Sequence, residues 1–574
     1  MITLKLPSAL LLAAAILPLS VSPAQAAPLS QQEQLDQSRA QEAARQERLH
    51  QERTEVDTPA PPSSTLPADE TVRFPIAKVV LENDSGKFYF LRHIARDYEG
   101  RELALKEINE AVGKMNHELM QRGFSTSRVV IPEQNLSEGT LRLVLQIGRI
   151  HAVRFTEGSD TLYTYNLFPF REGDVLNVRD IEQGLEQAKR LPSQDITVKL
   201  LPAQEPQMTD VLLTVMRSKN VYGTISLDDS GLKDTGKLQL YGNVGVDQIF
   251  QRNDILRVGM NLDGAQDGYA KGTRGHNVSY TIPYGAHTFT FSYQRSKYHQ
   301  TVESRPYDFI SAGDTNISTF SWDYVLHRSS SMKTSMDIRL KKRNSHSFIN
   351  DVELPIQAMH QTSLEVGYAE RLYIDRDTLY FRIAHRFGLG WLGAQEEKTY
   401  PDAPKTRYRL WLVDVDYVHP FTFDHRPATF TSSLHGQWTM NEQRLYGVDM
   451  ISMGGRYTVR GFDGETTLMG TNGWYLRNEF ATKFPKQKAE LYLGLDVGAV
   501  YGYGADLYNG HVLAGATLGI RGTIHDISYD VFVAAPIEKP KGFHTPDATC
   551  GFSLGWKVLR AVLQKAANQA TEVA

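Results

Sequence analysis

Residues 287–294 read His-Thr-Phe-Thr-Phe-Ser-Tyr-Gln. His287, Phe289, Phe291 and Tyr293 fall on one side of an extended chain and Thr288, Thr290, Ser292 and Gln294 on the other, because successive side chains of a strand point to opposite faces. The alternation recurs at Phe320, Trp322, Tyr324 and Leu326, and again where Thr334, Met336, Ile338 and Leu340 interleave with Ser335, Asp337, Arg339 and Lys341. From Asn220 to Val558 it yields about sixteen strands of roughly ten residues, an even number at the length a tilted strand needs to cross a bilayer.

The links between these strands have a parity. Those after even strands are short (Pro283-Tyr284-Gly285, Asp375-Arg376, Pro485-Lys486-Gln487), and those after odd strands are mostly long (296–316, 344–359, 388–405, 440–471). Short turns at one end and long loops at the other are what an outer-membrane barrel produces when its first strand rises from a periplasmic domain. A soluble propeller does not predict that alternation.

Upstream, residues 74–218 read as two small mixed α/β units in tandem. In the first, the strand FPIAKVVL precedes two helical stretches, the second over 105–122 with Ile108, Val112, Met115, Leu119 and Met120 on one face and Gly123 as its stop. Strands over 129–131 and 141–147 close the unit. The second repeats the order: a strand over 150–155, a helix over 178–191, and a strand pair over 196–201 and 211–216. Ahead of both, residues 30–53 are rich in helix formers but carry no apolar stripe, so this helix belongs in water, in disorder or in a hydrated lumen. Residues 57–69 contain four prolines and read as a linker. Lys5, the apolar run 9–17 and Ala24-Gln25-Ala26 form a secretory signal peptide cleaved after Ala26.

The expected division is therefore signal peptide 1–26, polar helix 27–56, linker 57–72, α/β units 73–148 and 149–218, barrel 219–559 and tail 560–574. Composition fits it. The 574 residues carry 62 Lys and Arg against 66 Asp and Glu, a net charge of −4, with one cysteine. That balance supplies no basic field for nucleic acid, and one thiol makes neither an internal disulfide nor a cysteine zinc site. A mean hydropathy of −0.37 is compatible with a barrel whose strands are apolar on one face only. Cys550 shares that apolar face of the last strand with Phe552, Leu554 and Trp556 and is read as lipid-facing. No phosphate-binding loop, HExxH sequence or catalytic triad spacing is present, so no catalytic residue, metal or cofactor is expected.

Chemistry concentrates in the loop over 441–471, which contains Gly454-Gly455-Arg456-Tyr457-Thr458-Val459-Arg460-Gly461-Phe462-Asp463-Gly464-Glu465. In the strand that follows, Trp474, Leu476 and Phe480 face lipid, which turns Arg477 and Glu479 to the lumen. In the next, Leu491, Leu493, Leu495 and Val497 face lipid, so Asp496 points inward. A buried arginine needs a carboxylate, and its planar fork suits a bidentate pair.

The tetrapeptide Val459-Arg460-Gly461-Phe462 resembles the signature of POTRA-bearing outer-membrane barrels of the Omp85 superfamily, specifically the transporters of two-partner secretion (TpsB). That group exports filamentous haemagglutinin, haemolysin and contact-dependent inhibition proteins. Residues 122–129 (RGFSTSRV) and 131–136 (IPEQNL), with Gly139 and Leu141, resemble the first periplasmic POTRA domain of that family. Residues 176–186 (LNVRDIEQGLE) and 190–193 (RLPS) resemble the second. The resemblance implies α+β periplasmic POTRA domains followed by an all-β 16-stranded transmembrane barrel. It implies that the loop folds inward and that Arg460 pairs with the acid of Leu495-Asp496-Val497-Gly498, with Gly461, Gly494 and Gly498 allowing close backbone approach. It also implies that the polar helix is a plug resting in the barrel.

The function it implies is export, without ATP, of an unfolded TpsA-like exoprotein captured by the POTRA domains, with Arg122, Phe124 and Arg128 as candidate contacts. Folding of the client outside the cell would supply the driving force. Outer-membrane lipid, periplasmic chaperones and the barrel-assembly machinery are the other expected partners, and nucleic acid is not. A barrel-assembly factor of the same superfamily is the alternative, although such factors commonly carry more POTRA domains. A porin would need neither POTRA domains nor the loop signature. Two departures stand out: residues 202–209 lack the glycines expected between the second domain's strands, and the polar tail 560–574 follows the last strand.

Overall fold

Sixteen antiparallel strands close on themselves in the computed structural model, which describes residues 28–51, 53–56, 72–84, 86–266, 268–400, 403–441 and 443–559. The expected signal peptide, residues 57–71 of the linker and the tail lie outside the described residues. Closure is made by the first strand, Val221–Asp228, which pairs with both the second, Gln239–Asp247, and the last, Thr549–Leu559. The two-residue strand Val352–Glu353 only extends a hairpin beside the wall. Closing the sheet removes its edges, so that each wall strand pairs with a neighbour on both sides.

Alternation then sorts the side chains. On the thirteenth strand, Ala489–Tyr501, Leu491, Leu493 and Leu495 are exposed on the outer face while Tyr492, Gly494 and Asp496 are buried within. Cys550 is likewise exposed. The lumen is lined by paired charge: Arg382 holds Asp337 through Nε and Nη2 at 3.0 and 2.6 Å and reaches Glu365. Among the described residues no helix is long and apolar enough to cross a membrane.

The links after even strands are 285–286, 329–331, 375–376, 424–425 and similar turns, and those after odd strands include 390–408 and 440–471. Three long links differ from their expected extents. The fifth and sixth strands, His287–Val302 and Phe309–Arg328, leave a link of only 303–308 instead of 296–316, and the others are 350–358 and 390–408. The reason lies beyond the bilayer, where a strand needs no apolar face. Arg295 and Lys297 project outward and share Asp314 across the ladder, at 2.6 and 3.0 Å, so the backbone pairing continues through residues whose pattern reads as loop.

Both α/β units have one topology. In the first, Lys78–Glu82 runs parallel to Thr140–Gln146, which pairs antiparallel with Arg128–Val130. In the second, Arg149–Phe155 runs parallel to Met208–Arg217, which pairs with Gln194–Pro202. The sequence FPIAKVVL splits at Ala77, because Arg73–Ile76 pairs separately with Arg101–Ala104. Among the described residues there are four α-helices: α1, Pro28–His50; α2, Tyr89–Arg96; α3, Leu105–Gln121; and α4, Val178–Lys189. Ile108, Val112, Met115 and Leu119 of α3 bury against Val129, Leu141 and Leu143, and Ile181, Leu185 and Ala188 of α4 against Ile150, Val211 and Leu213. Where a glycine was expected between the last strands of the second unit, Gln207 takes the left-handed backbone instead, at φ 63°.

The units meet at Gly123, whose carbonyl accepts from Val178 N at 2.9 Å, while Arg122 O accepts from Asn177 Nδ2 at 3.1 Å. A Cβ on Gly123 would collide with the Asn177 side chain. The second unit seats on the barrel's short turns: Asn166 O accepts from Gly285 N at 2.9 Å, and Gln187 Nε2 donates to Thr288 Oγ1 at 2.9 Å.

Candidate functional site

The loop between the eleventh and twelfth strands, 440–471, turns into the barrel as a hairpin whose arms, Ile451–Met453 and Leu468–Gly470, pair antiparallel. Its tip is held by two chemistries. Val459 and Phe462 are buried in an apolar cluster with Met453, Leu513 and Phe543, and the Phe462 and Phe543 rings meet edge to face at 5.7 Å. Burying such side chains stabilises the inward loop by about 2 kcal/mol each. Between them Arg460 donates from Nε and Nη2 to the two Asp496 oxygens at 2.7 and 2.9 Å, and from Nη1 to Glu479 Oε2 at 2.6 Å. The Arg460 backbone N–H adds a bond to Asp496 at 3.0 Å, and Nη2 reaches Asn478 O at 3.2 Å. Asp496 is only 3% exposed, so the fork is a desolvated charge pair with its hydrogen-bonding capacity filled.

Glycines of the loop tip and of the wall permit this approach. Gly461 has φ +115°, and a Cβ there would stand 2.6 Å from Ala535 O. A Cβ on Gly494 would strike the Arg460 guanidinium, and one on Gly498 would lie 2.8 Å from Met453 Sδ. Arg477 faces the same region but makes no hydrogen bond to Asp496, its Nε standing 3.9 Å from Oδ2. It donates instead to Tyr457 O at 3.1 Å and to Glu42 of α1 at 2.7 Å.

α1 lies inside the barrel. Its 23 residues make roughly 34 Å at 1.5 Å per residue, about the thickness of a bilayer's apolar core. Near its N-terminal end Gln31, Gln34 and Gln37 donate to the carbonyls of Glu465, Gly447 and Val448 in the folded-in loop, at 2.6, 2.7 and 3.0 Å. Glu33 accepts from Thr315 and from Ser345, and Asp36 from Ser296 at 2.9 Å. Toward its C-terminal end Glu42 forms a two-bond pair with Arg45, and Arg48 reaches Asp416 at 2.7 Å. The chain then leaves the lumen past the turn 329–331, where Arg53 bonds Ser330 O. Val56 packs in the core of the second α/β unit, and Gln51 donates to Glu186 of α4 at 3.0 Å. A helix without an apolar stripe is held here because the wall around it is polar on every side. The individual partners Glu42, Asp416 and Glu186 carry no sequence signal, since period-two alternation says which face a residue takes and nothing about what crosses the lumen.

Glu186 is also the seat of the second unit on the barrel. Arg328 and Lys333, flanking the turn 329–331, both contact its carboxylate. Burial would raise its pKa, but the two cations outweigh burial and hold it at about 2.

The three candidate client contacts lie in the first unit. Phe124 is half-buried against the core, its ring 4.9 Å from that of Phe88. Arg122 pairs with Glu118 at 2.7 Å and covers the Phe90 ring at 4.2 Å. Arg128 is exposed on the edge strand Arg128–Val130 and bonds Gln146 at 2.7 Å. Among the described residues no cluster of three His, Cys, Asp or Glu is placed to hold a metal.

The family model described as haemolysin secretion/activation protein ShlB/FhaC/HecB matches residues 207–522. A ShlB-type POTRA model matches 74–148 and a further POTRA model 149–202. The outer membrane transporter CdiB-2 of Burkholderia pseudomallei is 37% identical over 474 residues, covering 82% of this chain and 81% of that protein. The outer membrane transporter CdiB of Dickeya dadantii is 30% identical over 460 residues, covering 79% and 80%. Among solved structures, CdiB from Escherichia coli superposes with a TM-score of 0.83 at 26% identity, over 93% of this chain and 100% of that one. CdiB from Acinetobacter baumannii gives 0.78 at 27%, with the same coverage.

Proposed function

The chain belongs to the ShlB/FhaC/HecB family of haemolysin secretion/activation proteins, and from that premise we propose how it works. It is an outer-membrane transporter of two-partner secretion for haemolysin- or contact-dependent-inhibition-type exoproteins, with its POTRA domains in the periplasm as in the family, and it is not an enzyme. In this reading residues 73–148 and 149–218 receive the unfolded client, 219–559 is the conduit, 27–56 is the plug and 57–72 its tether. Exposed sheet edges, such as Arg128–Val130, suit an extended client because backbone hydrogen bonds tolerate varied sequence. Arg122, exposed at the corner after α3, and Arg128 supply charge beside that edge, with Phe124 shaping the corner. Periplasmic chaperones deliver the client, and the barrel-assembly machinery inserts the transporter among outer-membrane lipids.

The observation that carries the gating scheme is the double engagement of Arg477, with the plug through Glu42 and with the loop tip through Tyr457 O. When α1 leaves, Arg477 loses Glu42, and its unpartnered Nε turns on Asp496 in competition with Arg460. Plug exit thereby loosens the loop that narrows the lumen. Folding of the client outside supplies the pull. The test is secretion of the partner exoprotein alongside bilayer conductance: deleting residues 30–53 should open the pore, and unchanged conductance would overturn the plug assignment.

A further inference from the structure

The periplasmic rim of the barrel carries a patch that secretion, as argued above, does not use. The turn 248–254 is tied together from within: Asp254 accepts from the backbone of Phe250 at 3.1 Å and of Arg252 at 3.0 Å, and Gln248, Gln251 and Asn253 all take positive φ. Yet this turn presents Ile249, 39% exposed, and Phe250, 66% exposed. A turn tied in this way that displays large apolar side chains is built to meet something. Phe250 packs edge to face on Tyr280, ring centroids 5.9 Å apart. Tyr280 shares the outer face of the fourth strand, Lys271–Tyr284, with the exposed Val278 and Tyr284, so Phe250 continues the surface that faces lipid.

The second POTRA domain extends the same surface. Asn253 donates to Tyr163 O at 2.8 Å, and the Arg252 guanidinium lies 3.7 Å from the centre of the Tyr163 ring. Tyr165, 52% exposed, is the next ring along, 6.1 Å away, and Arg171 covers it at 3.8 Å. Neither arginine forms an ion pair with a carboxylate among the described residues. Amphipathic rings with cations stacked on them, at the level where a lipid wall ends, match the chemistry of a membrane interface, with tyrosine at the headgroups and arginine toward phosphate.

We infer that Tyr163, Tyr165 and Arg171 of the second POTRA domain, together with Ile249, Phe250 and Arg252, form one interfacial patch that binds phospholipid headgroups of the periplasmic leaflet. The patch rests on the barrel spanning the outer membrane and not on any step of the export scheme. It fixes the tilt of the domain against the bilayer, so that the client-receiving edges hang at a set angle below the pore.

The test uses the full chain in vesicles of phosphatidylethanolamine with phosphatidylglycerol. With Cys550→Ser as background, a nitroxide is placed at Tyr165→Cys, at Ile249→Cys and, as a control on the first POTRA domain, at the exposed Tyr89→Cys. The labels at positions 165 and 249 should be more accessible to oxygen than to a water-soluble nickel chelate, and the label at 89 the reverse. Adding Arg171→Glu with Arg252→Glu should move the label at 165 toward water while conductance of the barrel is kept. Labels at 165 and 249 as water-accessible as that at 89 would overturn the inference. So would shielding that arises only when the secreted partner is added, which would make the patch a client surface.

Discussion

The Arg477 guanidinium of the barrel wall and the Glu42 carboxylate of α1 stand 2.7 Å apart, and the same Arg477 nitrogen also holds the loop carbonyl of Tyr457 at 3.1 Å. One wall residue thus feels both the plug and the latch.

Glu42→Ala removes an acid that faces two arginines, Arg45 and Arg477. Leaving buried cations unpaired costs about 3 kcal/mol, enough to raise plug release about a hundredfold if it is not recovered elsewhere. Single-channel recording should show a higher open fraction. Glu42→Ala and Arg477→Ala should be non-additive in the same recording, since they remove one shared contact.

Arg460→Ala strands the desolvated Asp496 carboxylate, at a cost of about 3–5 kcal/mol to the inward loop, and Asp496→Ala breaks the two-bond fork and leaves Arg460 to Glu479. Both should abolish or sharply reduce secretion of the partner with the barrel at normal level in the outer membrane, and both should expose the loop to external protease. Secretion at the unsubstituted level with normal barrel would make the fork a structural ornament.

Gly461→Ala leaves every charge in place but adds a Cβ 2.6 Å from Ala535 O on a backbone at φ +115°. The expected penalty is about 1–3 kcal/mol, so secretion should fall less than in Arg460→Ala. A defect larger than that of Arg460→Ala would show that backbone approach, and not the ion pair, positions the tip.

The seat of the second POTRA domain on the barrel should resist mild acid. Glu186 has its pKa lowered from 4.5 to about 2, so its contribution is complete above the ordinary carboxylate range, declines as pH falls below about 4.5 and is gone once pH has fallen through about 2. Distances between spin labels on α4 and the barrel should therefore hold from pH 7 to about pH 5 and broaden progressively as pH falls toward about 2. Glu186→Gln, worth about 3 kcal/mol by the same shift, should broaden those distances already at pH 7.

Much of this was legible in residue order. Alternation in stretches such as 287–294 gave the strand count, and the parity of links gave the orientation. Lipid-facing Leu493 and Leu495 placed Asp496 inside, which made it available to Arg460. What stayed hidden shares one physical cause: alternation reports burial on one side and is silent about partners. Beyond the bilayer the outward face turns polar, so Arg295, Lys297 and Asp314 resemble a loop although they pair across a ladder. The polar α1 admits any hydrated surroundings, and nothing in its spacing names Glu42 as the partner of Arg477. The seat joins Glu186 to Arg328 and Lys333, 142 and 147 residues further along the chain, each of which looks like an ordinary strand-end charge.

The two ends of α1 are fastened differently. Glutamine amides and hydroxyls hold the outer end, at Gln31, Gln34 and Gln37, whereas carboxylate and guanidinium pairs hold the inner end, at Glu42, Arg45 and Arg48. Dissolved ions weaken the second kind, by less than they would weaken exposed pairs, and leave the first nearly untouched. Rising ionic strength should then free the helix from the periplasmic side first, the side on which the client arrives, so the order of release is written into the choice between amide and charge along a single helix.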